Sequence, residues 1–201
     1  MKSFKQFLSE MSADIGEIPS PYESSTGRRQ AYYNDTSDIL PSHEGDWKHV
    51  KKIGTKSLKA RHEDGHTVYA IDDDNEGQRY GHAIIRKDGV STFKDVPHEM
   101  TSDVARSRTG IPKGIITDIV YNHFKKSAKP LASSGYQSVH GHGMWRKLAK
   151  RALDDGHHVY HLKDGELIKL DHDNLEDELN STWQDEGDKV HRHIVLSKHP
   201  L

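Results

Sequence analysis

Sixteen histidines are the first residues of this 201-residue chain that invite chemistry. They gather as His140-x-His142, His157-His158-x-x-His161 and His191-x-His193. None of these has the His-Glu-x-x-His spacing that turns two imidazoles to one helical face with a general base between them. Alternating histidines on a strand share a face mainly as surface polar groups, so no metal site is expected. The run Asp72-Asp73-Asp74-Asn75 carries the oxygen donors of half a calcium loop. Counted from Asp72, however, Ala83 stands where the loop needs its bidentate Glu, so an acidic turn is expected. With no cysteine the chain holds no disulfide, thiolate metal site or cysteine nucleophile. Neither a Gly-x-Ser-x-Gly elbow nor a Walker loop is present, which leaves nucleophilic hydrolases and P-loop enzymes unsupported.

Charge adds a second constraint. The net value of -2 hides an uneven distribution: Thr101 to Leu170 is rich in Lys and Arg, and Asp171 to Val190 is strongly acidic. Two solvated surfaces account for this more simply than a nucleic-acid footprint, which requires basic charge clustered on one face. The basic residues Arg146, Lys147, Lys150 and Arg151 share one side of a helix, and phosphate would be their partner if they bind anything. A DNA-condensing role calls for a clearly basic chain, so nucleic acid is not expected as a specific ligand.

These residues need elements to hold them. Apolar residues are 32% and charged residues 30% of the chain, more polar than an ordinary domain, so part of the chain should lie outside any core. No stretch approaches the roughly 18 apolar residues of a membrane-spanning helix, and the N-terminus lacks the apolar segment of a secretory signal; no membrane partner is expected. Phe4, Phe7 and Leu8 share a helical face in a segment too short to hold a helix alone. Residues 11–44 are Ser-, Pro-, Asp- and Tyr-rich without period and read as a flexible linker.

Ordered patterns begin near Trp47. His66 to Ile71 and Gly81 to Arg86 are β-rich, and Asp88-Gly89 offers a two-residue turn into Val90 to Phe93. Ile115, Ile116, Ile119, Val120 and Phe124 recur at helical spacing, which predicts a helix over 114–126 after Pro112. Met144, Trp145, Leu148, Ala149, Ala152 and Leu153 predict a second helix ending at Gly156, with Trp145 as core. His158 to Leu162 and Glu166 to Leu170 should form a hairpin across Asp164-Gly165. A short acidic helix over 173–179 and a final strand over 191–197 complete an α+β domain with a mixed sheet and two main helices. The expected organisation is a tag over 1–10, a linker over 11–44 and a domain over 45–201 with an acidic segment over 171–190.

Met1-Lys2-Ser3-Phe4-Lys5-Gln6-Phe7-Leu8-Ser9-Glu10 resembles the capsid-targeting sequence of internal head proteins of T4-like phages. The pattern of that family is Met-Lys-Ser/Thr-aromatic-x-x-Phe-aliphatic-x-Glu, and every defined position matches. The resemblance covers about a twentieth of the chain. It implies that Phe4, Phe7 and Leu8 dock the protein on the scaffold core of the immature head. It also implies that the prohead protease cuts after the Glu of an aliphatic-x-Glu motif, here Glu10 or Glu17. The chain would then sit in the virion head and pass with the DNA into the host cytoplasm, to act on a host protein target or a defence system.

Residues from about 66 to 170 resemble the GNAT acyltransferase fold, in which a strand meander precedes a helix, a short strand, a second helix and closing strands. Pro130-Leu131-Ala132-Ser133-Ser134, Gln137-Ser138 and Gly141-x-x-Met144-Trp145-x-x-Leu148 look like a stretch frequent in phage-encoded GNAT-like proteins. The resemblance implies that the loop before the first helix binds the pyrophosphate of acetyl-coenzyme A, which assigns Arg106, Arg108, Gly110, Lys113 and Gly114 to the cofactor. The family pattern there is Gln/Arg-x-x-Gly-x-Gly/Ala. This loop has the glycines and cations at a different spacing, and Pro112 removes one N–H donor. Weak or absent acetyl-coenzyme A binding is therefore expected. A virion-internal delivered protein is the first expectation and an acetyl-coenzyme A-dependent N-acetyltransferase the alternative; a tag sets destination, while a fold leaves chemistry open.

Overall fold

Runs that alternate small apolar with charged residues build one mixed nine-stranded sheet. The computed structural model describes residues 45–63, 65–75, 78–88, 96–106, 110–134, 139–163, 165–184 and 193–201; the expected tag and linker over 1–44 and the expected strand from Val90 to Phe93 lie outside them. Residues 45–201 pack as one unit. Its strands are β1 (Lys48–Ile53), β2 (Lys56–Glu63), β3 (His66–Asp73), β4 (Arg79–Arg86), β5 (Glu99–Arg106), β6 (Leu131–Ala132), β7 (His158–Lys163), β8 (Glu166–Leu170) and β9 (His193–Ser197). Its described helices are α1 (Ile115–Lys126), α2 (Val139–Asp154) and α3 (Leu175–Gln184).

Strand order is β1-β2-β3-β4-β5-β6-β9-β7-β8. β5 and β6 are parallel, and the other neighbours are antiparallel. A parallel pair needs a crossover, and α1 supplies it. The predicted hairpin forms between β7 and β8, with Gly165 at φ 85. Two expectations shift. The antiparallel neighbour of β4 is β5, with Arg86 opposite Met100, and the acidic helix runs on to Gln184.

Register fixes which residues face the helices. Leu58, Ile71 and Gly81 are directly opposite one another, and Gly81 lies under α1 so closely that a Cβ there would stand 3.0 Å from Ile116 Cδ1 and 3.1 Å from the Ala105 carbonyl. A side chain there would require these neighbours to give by a few tenths of an ångström. The main core joins this face to Ile115, Ile116, Ile119, Val120 and Phe124 of α1, Trp145, Leu148 and Ala152 of α2, and Leu175 and Leu179 of α3. Trp145 is buried at 2% exposure, as its place on the apolar stripe predicts. A smaller cluster of Met100, Ala132, Tyr160, Leu162 and Val195 forms on the opposite face, where the register sets Met100, Ala132, Val195 and Tyr160 in a row. Lys198 closes the end of α1 by donating to the Lys125 and Ser127 carbonyls, each at 2.6 Å, which satisfies acceptors the helix leaves open. Among the described residues no helix is long and apolar enough to cross a membrane.

Candidate functional site

Parallel pairing between β5 and β6 lasts for two residues, Glu99 opposite Leu131 and Met100 opposite Ala132. β5 then continues along β4 until Arg106 faces Gly81, whereas β6 stops. The chain beyond it is held by β9: Ser133 N donates to the Ile194 carbonyl at 2.8 Å, Ile194 N donates to Ser133 Oγ at 2.9 Å, and His193 Nδ1 lies 2.7 Å from the Ser133 carbonyl. From Thr101 onward the outer edge of β5 thus faces no strand among the described residues. The sheet opens there, and the carboxyl ends of β5 and β6 lead to the starts of α1 and α2.

The loop assigned to the cofactor occupies this end. Arg106 closes β5, paired through its backbone with Gly81, and Arg108 lies outside the described residues. Gly110 has φ +84, and a Cβ on it would collide with the Tyr80 ring. Its glycine is thus needed for packing and for backbone conformation. Lys56 Nζ sits 4.2 Å from the centre of the same ring and 3.9 Å from Asp73. Between this loop and the β1–β2 turn lies a cavity of about 280 Å³ lined by residues 53–56 with Gly110, Ile111 and Pro112. Lys113 is exposed. Gly114 is the N-cap of α1 at φ 85 with no side-chain hydrogen bond to the helix, and Ile115 N donates to the Pro112 carbonyl at 3.4 Å; a helix start can also receive an outside acceptor.

Most other charges flagged by the sequence are engaged within the fold. Asp74 accepts from Lys52 at 2.8 Å and Lys59 at 2.7 Å and bonds Ser57. These contacts, Lys52 foremost, hold its carboxyl well below the usual range. Asp72 pairs with Arg79 at 3.0 Å, so the half calcium loop is satisfied by cationic side chains. On α2, Arg146 meets Glu176 and Asn180, and Arg151 pairs with Asp118 at 2.8 Å and lies over the Tyr121 ring. Lys147 and Lys150 stay exposed. Among the described residues no three His, Asp or Glu side chains converge as a metal ion would need.

Histidines instead make buried pairs. His161 Nδ1 is 3.5 Å from Glu178. His142, in the first turn of α2, is pushed down to about 4 by burial and then by the Arg146 charge. Two further pairs have no signal in the sequence. Tyr69 Oη and His123 Nδ1 are 2.9 Å apart, and His123 Nε2 is 2.8 Å from Glu99 Oε2. Burial, aided by Glu99, raises the Tyr69 hydroxyl, which suits it as donor. Burial alone would raise Glu99, but bonds from His123 and Ser127 and the charges of His123 and Lys129 outweigh it, and the carboxyl is lowered. The second pair is His82 Nε2 with Asp103 Oδ2 at 2.7 Å. Glu99 lies where β5 is closed by β6, and Asp103 lies on the open stretch. Separations of 24 and 21 residues between partners match no motif, so only the strand register brings these groups together.

No family model, curated protein or solved structure matches the chain.

Proposed function

We propose that residues 45–201 form a GNAT-like acyltransferase domain that receives an acyl thioester in the gap between β5 and β6. The observation that carries this reading is the parallel pair that ends after Met100 and Ala132. Ligands of open sheets with crossover helices bind in the crevice beyond the carboxyl ends of strands, where neighbouring connections diverge, and this is that place in the sheet. An extended chain bearing amides, such as the arm of coenzyme A, can add to the edge of β5 as a strand does. Its phosphates reach the start of α1. The order of meander, helix, short strand, helix and closing strands agrees with the same reading.

The phosphate hold should be weak. Gly110 is committed to Tyr80 and Pro112 has no N–H to offer, so α1 supplies fewer donors than a full glycine loop. Calorimetric titration with acetyl-coenzyme A tests the reading. Saturable binding with a Kd on the order of 1 mM, worth about 4 kcal/mol, is expected; absence of any heat beyond dilution at several times that concentration would overturn it.

A second reading concerns destination, and the match of Met1 to Glu10 favours it. We propose that the chain is a phage virion-internal protein, docked on the prohead scaffold core, cut by the prohead protease at Glu10 or Glu17, and delivered to the host cytoplasm with the DNA. There the domain would modify or bind a host protein target or defence component.

A further inference from the structure

We propose that the end of the domain opposite the proposed acyl site binds the phosphate backbone of nucleic acid, without regard to base sequence. Basic charge clustered on one face is the footprint of such a ligand, and the chain order hides it here because its members are far apart in sequence. α1 ends in Lys125 and Lys126, both exposed. Lys198, just after β9, donates to the Lys125 and Ser127 carbonyls, each at 2.6 Å. Ser127 Oγ accepts from Lys129 N at 3.0 Å, and Lys129 Nζ donates to the Lys87 carbonyl at 3.1 Å. Arg86, exposed at the end of β4, precedes Lys87. Lys198, Lys125, Lys126, Lys129, Lys87 and Arg86 thus follow one another along the end of the sheet where β5 and β6 begin, with Glu99 N donating to the Pro130 carbonyl at 2.9 Å. This surface stands independently of the acyltransferase reading.

The charge of this row is held in place without being neutralised. Lys198 and Lys129 bond main-chain carbonyls, as does Lys87, which donates to the Glu63 carbonyl at 3.2 Å, and a carbonyl carries no opposing charge. Neighbouring carboxylates are engaged with other groups: Glu99 with His123 at 2.8 Å, Asp155 with the Tyr121 hydroxyl at 2.7 Å, and Glu63 with Arg61. Asp88, 90% exposed, comes within 3.9 Å of Lys129, a contact worth little in water. The net charge of -2 does not oppose binding here, because charges beyond about 10 Å are screened at 0.1 M salt. Cations strung out in a row suit an extended polyanion better than a single phosphate. A lipid surface calls for apolar side chains that insert beside the cations. Among the described residues the large exposed apolar ones are Val50, Leu167 and Leu201, and Val50 and Leu167 lie on the two opposite edge strands, β1 and β8.

Fluorescence anisotropy of the full chain against two labelled DNA duplexes of unrelated sequence, across a range of salt, tests the proposal. Both duplexes should bind alike, with Kd on the order of 10⁻⁵ M near physiological salt and a steep loss as salt rises. Arg86→Gln, Lys125→Gln and Lys126→Gln should each weaken both complexes equally and lower the slope of log K against log salt by about 1. Their side chains are exposed, and circular dichroism checks that the combined variant is folded; if it is not, the three single variants make the same comparison. Lys147→Gln with Lys150→Gln, exposed on α2, should leave binding unchanged. Absence of binding at low salt, a wild-type slope in the folded variants, or loss of binding through the α2 pair instead would overturn the assignment. Tighter binding to phosphatidylserine vesicles or to polyglutamate than to the duplexes would overturn nucleic acid as the partner.

Discussion

His123 on α1 lies 2.8 Å through Nε2 from Glu99 Oε2 on β5, and its Nδ1 lies 2.9 Å from the Tyr69 hydroxyl on β3. Three elements are thereby joined by one hydrogen-bonded chain under the last turn of α1. Removing a partner leaves a buried polar group unsatisfied, at about 1–3 kcal/mol. Glu99→Gln should cost that much in urea unfolding at pH 7, and Tyr69→Phe about 1 kcal/mol. The sign of the pH dependence follows from the lowered Glu99 carboxyl. The unfolded chain protonates first on acidification, so this stability is complete above the ordinary carboxylate range and is lost as pH falls through and below it. Equal unfolding midpoints for wild type and Glu99→Gln at pH 7 would contradict the account.

His142 acts in a higher pH window. Its folded value of about 4 against an ordinary 6.5 means that the unfolded chain gains a proton which the folded chain refuses. Stability should be unaffected above pH 6.5 and should decline from there toward 4, by about 1–2 kcal/mol once solvent screening is allowed for. His142→Leu should flatten the dependence of unfolding free energy on pH in that window. An unchanged slope in the variant would show that His142 is not its source.

Gly110 separates packing from ligand binding. Because a Cβ there meets the Tyr80 ring and φ is +84, Gly110→Ala should destabilise the domain by about 1–3 kcal/mol with or without coenzyme. Gly110→Ala combined with Tyr80→Ala should recover part of the loss by removing the clash, though the backbone cost remains. Thermal unfolding of the two proteins checks this, and a fully stable single variant would refute the packing role.

The proposed tag makes its own prediction. Phe4 and Phe7 should supply much of the docking contact, at roughly 1.5–3 kcal/mol each. Replacing both by Asp should abolish packaging while residues 45–201 stay folded. Protein from mature virions should begin at Met11 or Ile18, whereas protein expressed alone keeps residues 1–10. An intact N-terminus in virions would remove the cleavable form of the claim, and normal copy number of the double variant would place targeting elsewhere.

Much of the architecture was legible because it rests on local patterns. The stripe from Ile115 to Phe124 and that from Trp145 to Ala152 gave both main helices, and Asp164-Gly165 gave the hairpin of β7 with β8. β1, β2 and β5 were missed. β1 reads KHVKKI and is almost wholly exposed at the sheet edge, where lysines discourage pairing with other chains. β2 and β5 bury few large apolar residues, so neither shows the alternation of a strong strand. The candidate site was less legible than the fold. The gap depends on β6 being two residues long, and the pairing of His82 with Asp103 depends on the β4–β5 register; both are tertiary facts without a local signature. Gly110 drew notice as a loop glycine, but its packing under Tyr80 could be seen only once β4 and that loop were set side by side.

The amide spectrum of the isotope-labelled protein, followed during titration with acetyl-coenzyme A, tests the central claim most directly. The account predicts saturable shifts along the open edge of β5 from Thr101 to Arg106 and in the first turn of α1, with β1 and β8 unmoved. Shifts absent at millimolar coenzyme, or confined to the exposed lysines Lys147 and Lys150, would contradict it.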